Sequence, residues 1–270
     1  MKRLLAIELQ KIWKNRASRV LTISYFILLT FIALIASIKF DVGPIHFRVA
    51  DQGIFNFPFI WHFNTYIASW LKMFLAIVIV SMMANEYSYG TLKQNLIDGM
   101  TKKEFVFSKF LTVLLFSIIS TIFIFIVTII LGLCFSSYTE VSIVFSELEY
   151  LPAYFLNLIG FFCFCLFLGI LVKRSAFALG FIMLWWLLEV ILIYLVSIPS
   201  FLSKLLPLES MSNLIVEPFT RVSVVKNIGT QIGVENYKDY SVHWYSILIV
   251  LAWTVIFMLI SYKLLEKRDL

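Results

Sequence analysis

Charge is what this chain has least of. Asp, Glu, Lys and Arg make up 14% of its 270 residues, against 61% hydrophobic residues and a mean hydropathy of +0.94. So few charges cannot cover a folded domain in water, which excludes a soluble globular protein and makes lipid the solvent for much of the chain. Proline numbers six and is absent from the interior of the long apolar runs, so nothing in them breaks a helix. The three cysteines, Cys134, Cys163 and Cys165, all fall in those runs. Cys163 and Cys165, two apart, point to different faces of a helix, so neither a disulfide nor a metal site is expected. His46, His62 and His243 have no Glu or Cys at ligand spacing, and interfacial hydrogen bonding is expected of them. No Gly-x-x-x-x-Gly-Lys-Ser/Thr loop occurs, so the chain does not bind ATP in the usual way. Catalysis by this chain alone is not expected. Its energy must come from another polypeptide or from an ion gradient.

What is present is a set of apolar segments. Six are long enough to cross a bilayer, which takes roughly 20 residues: Val20–Ile38, Thr65–Ala84, Phe110–Phe135, Leu151–Val172, Ala176–Ile198 and Trp244–Tyr262. Inside hydrocarbon the backbone must satisfy itself, so these are helices. The expected fold is an all-α polytopic membrane protein forming one domain over residues 1–270. Fifteen Lys and Arg fall on the side of the termini and six on the other, with Lys72 inside a span. That bias puts both termini in the cytoplasm of a cell-membrane protein. The formal charge of +6 sits beside apolar spans, which points to anionic lipid rather than nucleic acid. The first apolar run is too long for a signal peptide and reads as an uncleaved span.

Two polar stretches stand out. In residues 2–16, Leu5, Leu9, Ile12 and Trp13 recur at helical spacing opposite Lys2, Lys11 and Lys14. They predict an amphipathic helix in the cytoplasmic interface with Trp13 as anchor. Between the second and third spans lies a basic island, Asn85 to Phe110. Its Leu92, Leu96 and Ile97 alternate with Lys93, Gln94, Asn95 and Asp98, Gly99 ends that helix, and Thr101-Lys102-Lys103-Glu104 is a capping box that starts the next. A short stiff helix joined rigidly to two spans suits a coupling element. A polar connector whose charges only set topology is the other reading.

The pattern Glu86-x-x-x-Gly90-Thr91-Leu92-Lys93, followed by Gly99-Met100-Thr101-Lys102-Lys103-Glu104-Phe105 and Lys109-Phe110, resembles the permease subunits of type-2 ATP-binding-cassette exporters. The amino-terminal helix, the six spans and the long outer connection before the last span match as well. Where that family usually has Pro in the turn, Gly99-Met100 stands here. The resemblance implies a pair of six-span subunits, a second copy or a homologue, each docked through its cytoplasmic coupling helix onto a soluble ATPase subunit. ATP and Mg²⁺ would then be held by that partner, with no cofactor bound here. Coupling would fall on Tyr89–Met100 (Tyr89, Gly90, Thr91, Leu92, Lys93, Leu96, Met100), with Glu86 and Lys109 bracing the flanking spans.

Two charges lie inside spans, Glu189 and Lys72. Burying either alone costs at least a few kcal/mol, so they are expected to pair or to line a translocation cavity together; Lys72 can also snorkel outward. Ser81, Thr112, Ser117, Ser120, Thr121 and Thr128 are the few polar positions able to line a path. Phe55, Phe57, Phe59, Trp61 and Phe63 read as an interfacial aromatic belt. The apolar, Pro-bounded 199–207 stretch is expected to dip into the membrane edge. A six-span anchor or sensor, or an ion-coupled carrier using Glu189, remains open beside the permease.

Overall fold

The computed structural model describes residues 2–37, 39–42, 45–48, 53–138, 140–222 and 238–268. Ile38, Lys226 and the rest of the 223–237 stretch lie outside the described residues. The chain opens with α1 (Lys2–Lys14) and α2 (Arg16–Ser37), separated at Asn15. The Asn15 side chain accepts the Ser18 N–H at 3.1 Å and so caps α2. A two-stranded antiparallel ribbon follows, β1 (Lys39–Val42) and β2 (Ile45–Arg48), in the register Lys39 opposite Arg48. The sequence reading had no strand there.

The remaining helices are α3 (Phe59–Ser88), α4 (Thr91–Ile97), α5 (Lys102–Phe135), α6 (Val141–Val144), α7 (Tyr150–Val172), α8 (Ser175–Val190), α9 (Ser200–Ser203), α10 (Pro207–Ser212) and α11 (Trp244–Glu266). A π-helical turn at Ile191–Leu195 extends α8. Among the described residues five helices are long and apolar enough to cross a membrane: α3, α5, α7, α8 with its extension, and α11. The protein is therefore a helical, polytopic integral membrane protein. Helix α2 lies against α3 and α5.

Helix α7 is the packing axis. Of its most apolar stretch 72% is buried, against 17% for α8 and 22% for α11, so α7 is surrounded by protein while the others show an apolar flank to lipid. On α5 that flank is Ile118, Ile122, Ile126 and Ile130, spaced by four and exposed. Small residues let backbones approach α7, as in other membrane bundles. A Cβ on Gly169 would sit 2.9 Å from the Met83 Cβ of α3, and one on Gly160 3.0 Å from Val250 of α11. Across the axis, the Tyr154 hydroxyl meets that of Tyr25 on α2 at 2.8 Å.

Three expectations are corrected. Phe55, Phe57 and Trp61 are buried rather than belting the surface, because Trp61 stacks on Phe125 and donates its indole N–H to Val144 O at 2.7 Å. Thr112, Ser117, Ser120 and Thr128 are buried between helices and line no path; Thr112 and Ser117 donate to carbonyls one turn back. The third concerns α1. Ile12 is buried, Leu5 and Leu9 are half-buried and Trp13 is exposed, while the inward face also carries Glu8 and Lys11, which a purely apolar stripe does not anticipate.

The packing around α7 gives a direct comparison. Gly169→Val should lower the apparent melting temperature in detergent, with a cost of about 1–3 kcal/mol from overpacking. Gly180→Val, on a stretch of α8 where an added Cβ meets nothing within 4 Å, should melt like the parent.

Candidate functional site

At the end of the bundle that carries α4, four charged side chains from three helices close a ring. Lys109 of α5 is fully buried, and its ammonium bonds Glu8 Oε2 of α1 at 2.5 Å and Glu86 Oε1 of α3 at 2.6 Å. Lys11 of α1 reaches the same Glu86 oxygen at 2.8 Å and lies 3.5 Å from Glu8 Oε1. Two cations and two anions make the ring formally neutral, the condition under which such groups tolerate burial. Burial works against the charge on Lys11, but its bonds to Glu86 and Glu8 outweigh that and hold its pKa above the ordinary lysine value.

The other carboxylate oxygen of Glu86 accepts the Thr91 hydroxyl at 2.5 Å. Thr91 is the first residue of α4, so the ring grips the start of that helix. Gly90 before it adopts φ +67°, a left-handed conformation that glycine reaches without strain. The far end of α4 is closed by a Schellman motif: Gly99 N–H bonds Leu96 O at 3.2 Å and Met100 N–H bonds Asn95 O at 3.0 Å, with Gly99 at φ +95°. Glycine at both ends thus isolates a seven-residue helix between two long ones. The Thr101–Glu104 capping box then starts α5 as the sequence predicts.

Helix α4 has two faces. Leu92 is buried, and Leu96 and Met100 pack partly buried against the core. Lys93 and Ile97, four apart, face away from the core, with Ile97 76% exposed; Tyr89, which ends α3 just before Gly90, is also 74% exposed. An exposed edge of one cation and one aliphatic residue sits on a helix held by a buried ion ring, with an exposed tyrosine just before its start.

The chain belongs to the DUF2705 family. Residues 21–270 match that family, described as a protein of unknown function. The match covers Glu86, Thr91 and Lys109, and begins after Glu8 and Lys11. No curated protein matches the chain.

In this DUF2705 member the structure brings Glu86, Thr91 and Lys109 together and separates the remaining island residues into the two faces of α4. Glu8 and Lys11 were missed as partners. Their signal was present as an i, i+3 acid–base pair within one amphipathic helix. Arg268 was also missed. Its guanidinium caps the end of α7 through Ile170 O at 2.5 Å and Leu171 O at 3.1 Å, and it bonds the Tyr87 hydroxyl at 3.0 Å. Lys102 bonds the Glu266 and Arg268 carbonyls, so the last helix is tied to the start of α5.

Glu189 and Lys72 do not meet. Glu189 accepts the Trp185 indole N–H at 2.8 Å and the backbone N–H groups of Leu208 and Glu209 at 3.0 and 2.8 Å. It therefore caps α10, whose Pro207, Ser210 and Met211 are buried, so the chain after α9 turns back into the bundle. Lys72 donates instead to Asn157 Oδ1 of α7 at 2.6 Å. Because α3 begins at Phe59, Lys72 lies 13 residues along it, about 20 Å at 1.5 Å per residue, deeper than the expected span implied. At this opposite end, His62 is hydrogen-bonded as expected and fully buried. It bonds Val216 O through Nε2 at 2.7 Å, so Nε2 carries the proton and Nδ1 accepts from Arg221 at 3.1 Å. Arg221 in turn holds Glu147 in a two-point bridge of 2.7 and 3.0 Å.

Removing one member of the ring should cost more than removing two opposite charges. Lys109→Met leaves Glu8 and Glu86 facing each other and should destabilise by about 3–5 kcal/mol. Adding Glu8→Gln should raise the melting temperature of that variant. Strictly additive losses would show that the groups act separately.

Proposed function

We propose that this chain is the permease subunit of an ATP-binding-cassette transporter of the type-2 exporter class, working with a second permease copy or homologue and a separate cytoplasmic ATPase. The observation that carries this is the exposed Lys93 and Ile97 edge of α4, with Tyr89 exposed just before it, on a helix seated on the buried ring of Glu8, Lys11, Glu86 and Lys109. Force applied to α4 passes through Leu92 and the Thr91–Glu86 bond into α3, and through Lys109 and Lys11 into α5 and α1. The α4 end is then the cytoplasmic one, in keeping with the Lys and Arg bias, and α2 completes six spans. ATP and Mg²⁺ belong to the partner; this chain supplies half of the translocation path and performs no hydrolysis. Glu189, occupied by three N–H donors as a helix cap, is poorly placed to carry an ion, which weakens a carrier. The six-span anchor is separated from the permease by the partner alone.

The exposed edge sharpens the test. Leu96 packs against the core, so its replacement would perturb the fold, whereas Ile97 and Lys93 are free to be changed. Tagged chain extracted in mild detergent should co-purify with a soluble ATPase. Ile97→Asp with Lys93→Glu should lose the ATPase while melting like the parent. A well-folded parent that retains no ATPase would favour the anchor.

A further inference from the structure

The opposite half of the bundle holds a lateral groove of about 720 Å³ between α3, α7, α8 and the segment that follows α10. Its wall is aromatic, with Tyr66, Trp70, Phe161, Trp186 and Tyr194. Trp70, Trp186 and Tyr194 are themselves mostly exposed, so the groove opens sideways, toward lipid. Lys72 stands at its polar point. The ammonium bonds Asn157 Oδ1 at 2.6 Å and lies 4.5 Å from the centre of the Phe161 ring. Asn157 cannot turn to offer more, because its own amide N–H is committed to Met211 O at 2.6 Å.

Among the described residues no carboxylate lies within 4 Å of Lys72, and the acid on the groove wall, Glu217, is already bridged by Lys238 at 2.6 Å. The Lys72 ammonium thus sits some 20 Å along α3 with only a neutral amide and a ring face beside it. The buried charges described elsewhere in the bundle are balanced or capped: Lys109 by two acids, Glu189 by three N–H groups. An unbalanced cation in an apolar, laterally open groove calls for an anion that arrives with a hydrocarbon tail.

We infer that this groove binds an anionic amphiphile, its carboxylate or phosphate head on Lys72 and its chain along Trp70, Phe161 and Trp186. As the cargo class of a permease this rests on the function proposed above; as a binding site it does not, and the test uses no ATPase.

The protein in phosphatidylcholine nanodiscs is exposed to a palmitate carrying a diazirine in its chain, irradiated, and mapped by peptide sequencing. Labelling is expected at Trp70, Met183 or Trp186. Dodecanoate and dodecyl phosphate should displace it, while dodecyltrimethylammonium and inorganic phosphate should not. Lys72→Met should weaken labelling about tenfold or more, the loss of one charge-assisted bond, and Lys72→Arg should retain it. Displacement by the cationic chain as readily as by the anionic ones would overturn the site, and the head-group comparison on the unaltered chain stands even if Lys72→Met fails to fold. Unchanged labelling in a folded Lys72→Met would overturn it too. So would absent labelling together with a disulfide between two copies through Trp186→Cys, which would make the groove a subunit interface.

Discussion

The fully buried ammonium of Lys109 is the interaction on which the α4 end of this protein depends. It joins α1, α3 and α5 by directed bonds at a single buried atom, and α4 hangs from it through Glu86 and Thr91. Desolvating four charges is expensive, and an apolar replacement of similar volume is often as stable. What the ring adds is geometry. Directed bonds fix the rotation of three helices and the seat of a fourth, where greasy surfaces alone would let them slide in a solvent as apolar as themselves.

Around that fixed end the molecule divides by solvent. Helix α7 is enclosed, with Gly160 and Gly169 admitting its neighbours, while α5, α8 and α11 turn Ile, Leu and Phe outward. These exposed apolar faces would be a liability in water and are ordinary in a bilayer. Helices α3 and α5, at 30 and 34 residues, are longer than a hydrocarbon core of about 30 Å requires. Their excess length carries Glu86 and the start of α5 toward the end of the bundle that holds α4. The same length lets Lys72 sit deep while the ring stays near the surface.

The two halves treat buried charge differently. At the α4 end every charge of the ring is answered within the chain, which makes that end stiff. In the groove, Lys72 has a neutral amide and a ring face beside it. The ring and the groove share one long helix, α3.

How much of this could be read beforehand follows from the range of each interaction. Hydropathy alone determined a helical membrane protein, because an unbroken apolar run of about 20 residues satisfies its own backbone in lipid as a helix, whereas a barrel strand is shorter and alternating. Local chemistry determined the short helix of the island, its glycine boundaries and the Thr101 capping box, all of which act over three to five residues. The resemblance to exporter permeases also marked Glu86 and Lys109, 23 residues apart and flanking the turn. Only the tertiary structure could bring Glu8 to Lys109 across 101 residues and Lys11 to Glu86 across 75, place Arg268 on α7, and turn Phe55 and Trp61 inward. Only it could part Glu189 from Lys72, because α10 folds back to occupy the carboxylate. A sequence shows which groups cannot stay alone in lipid; packing decides which partner each one finds.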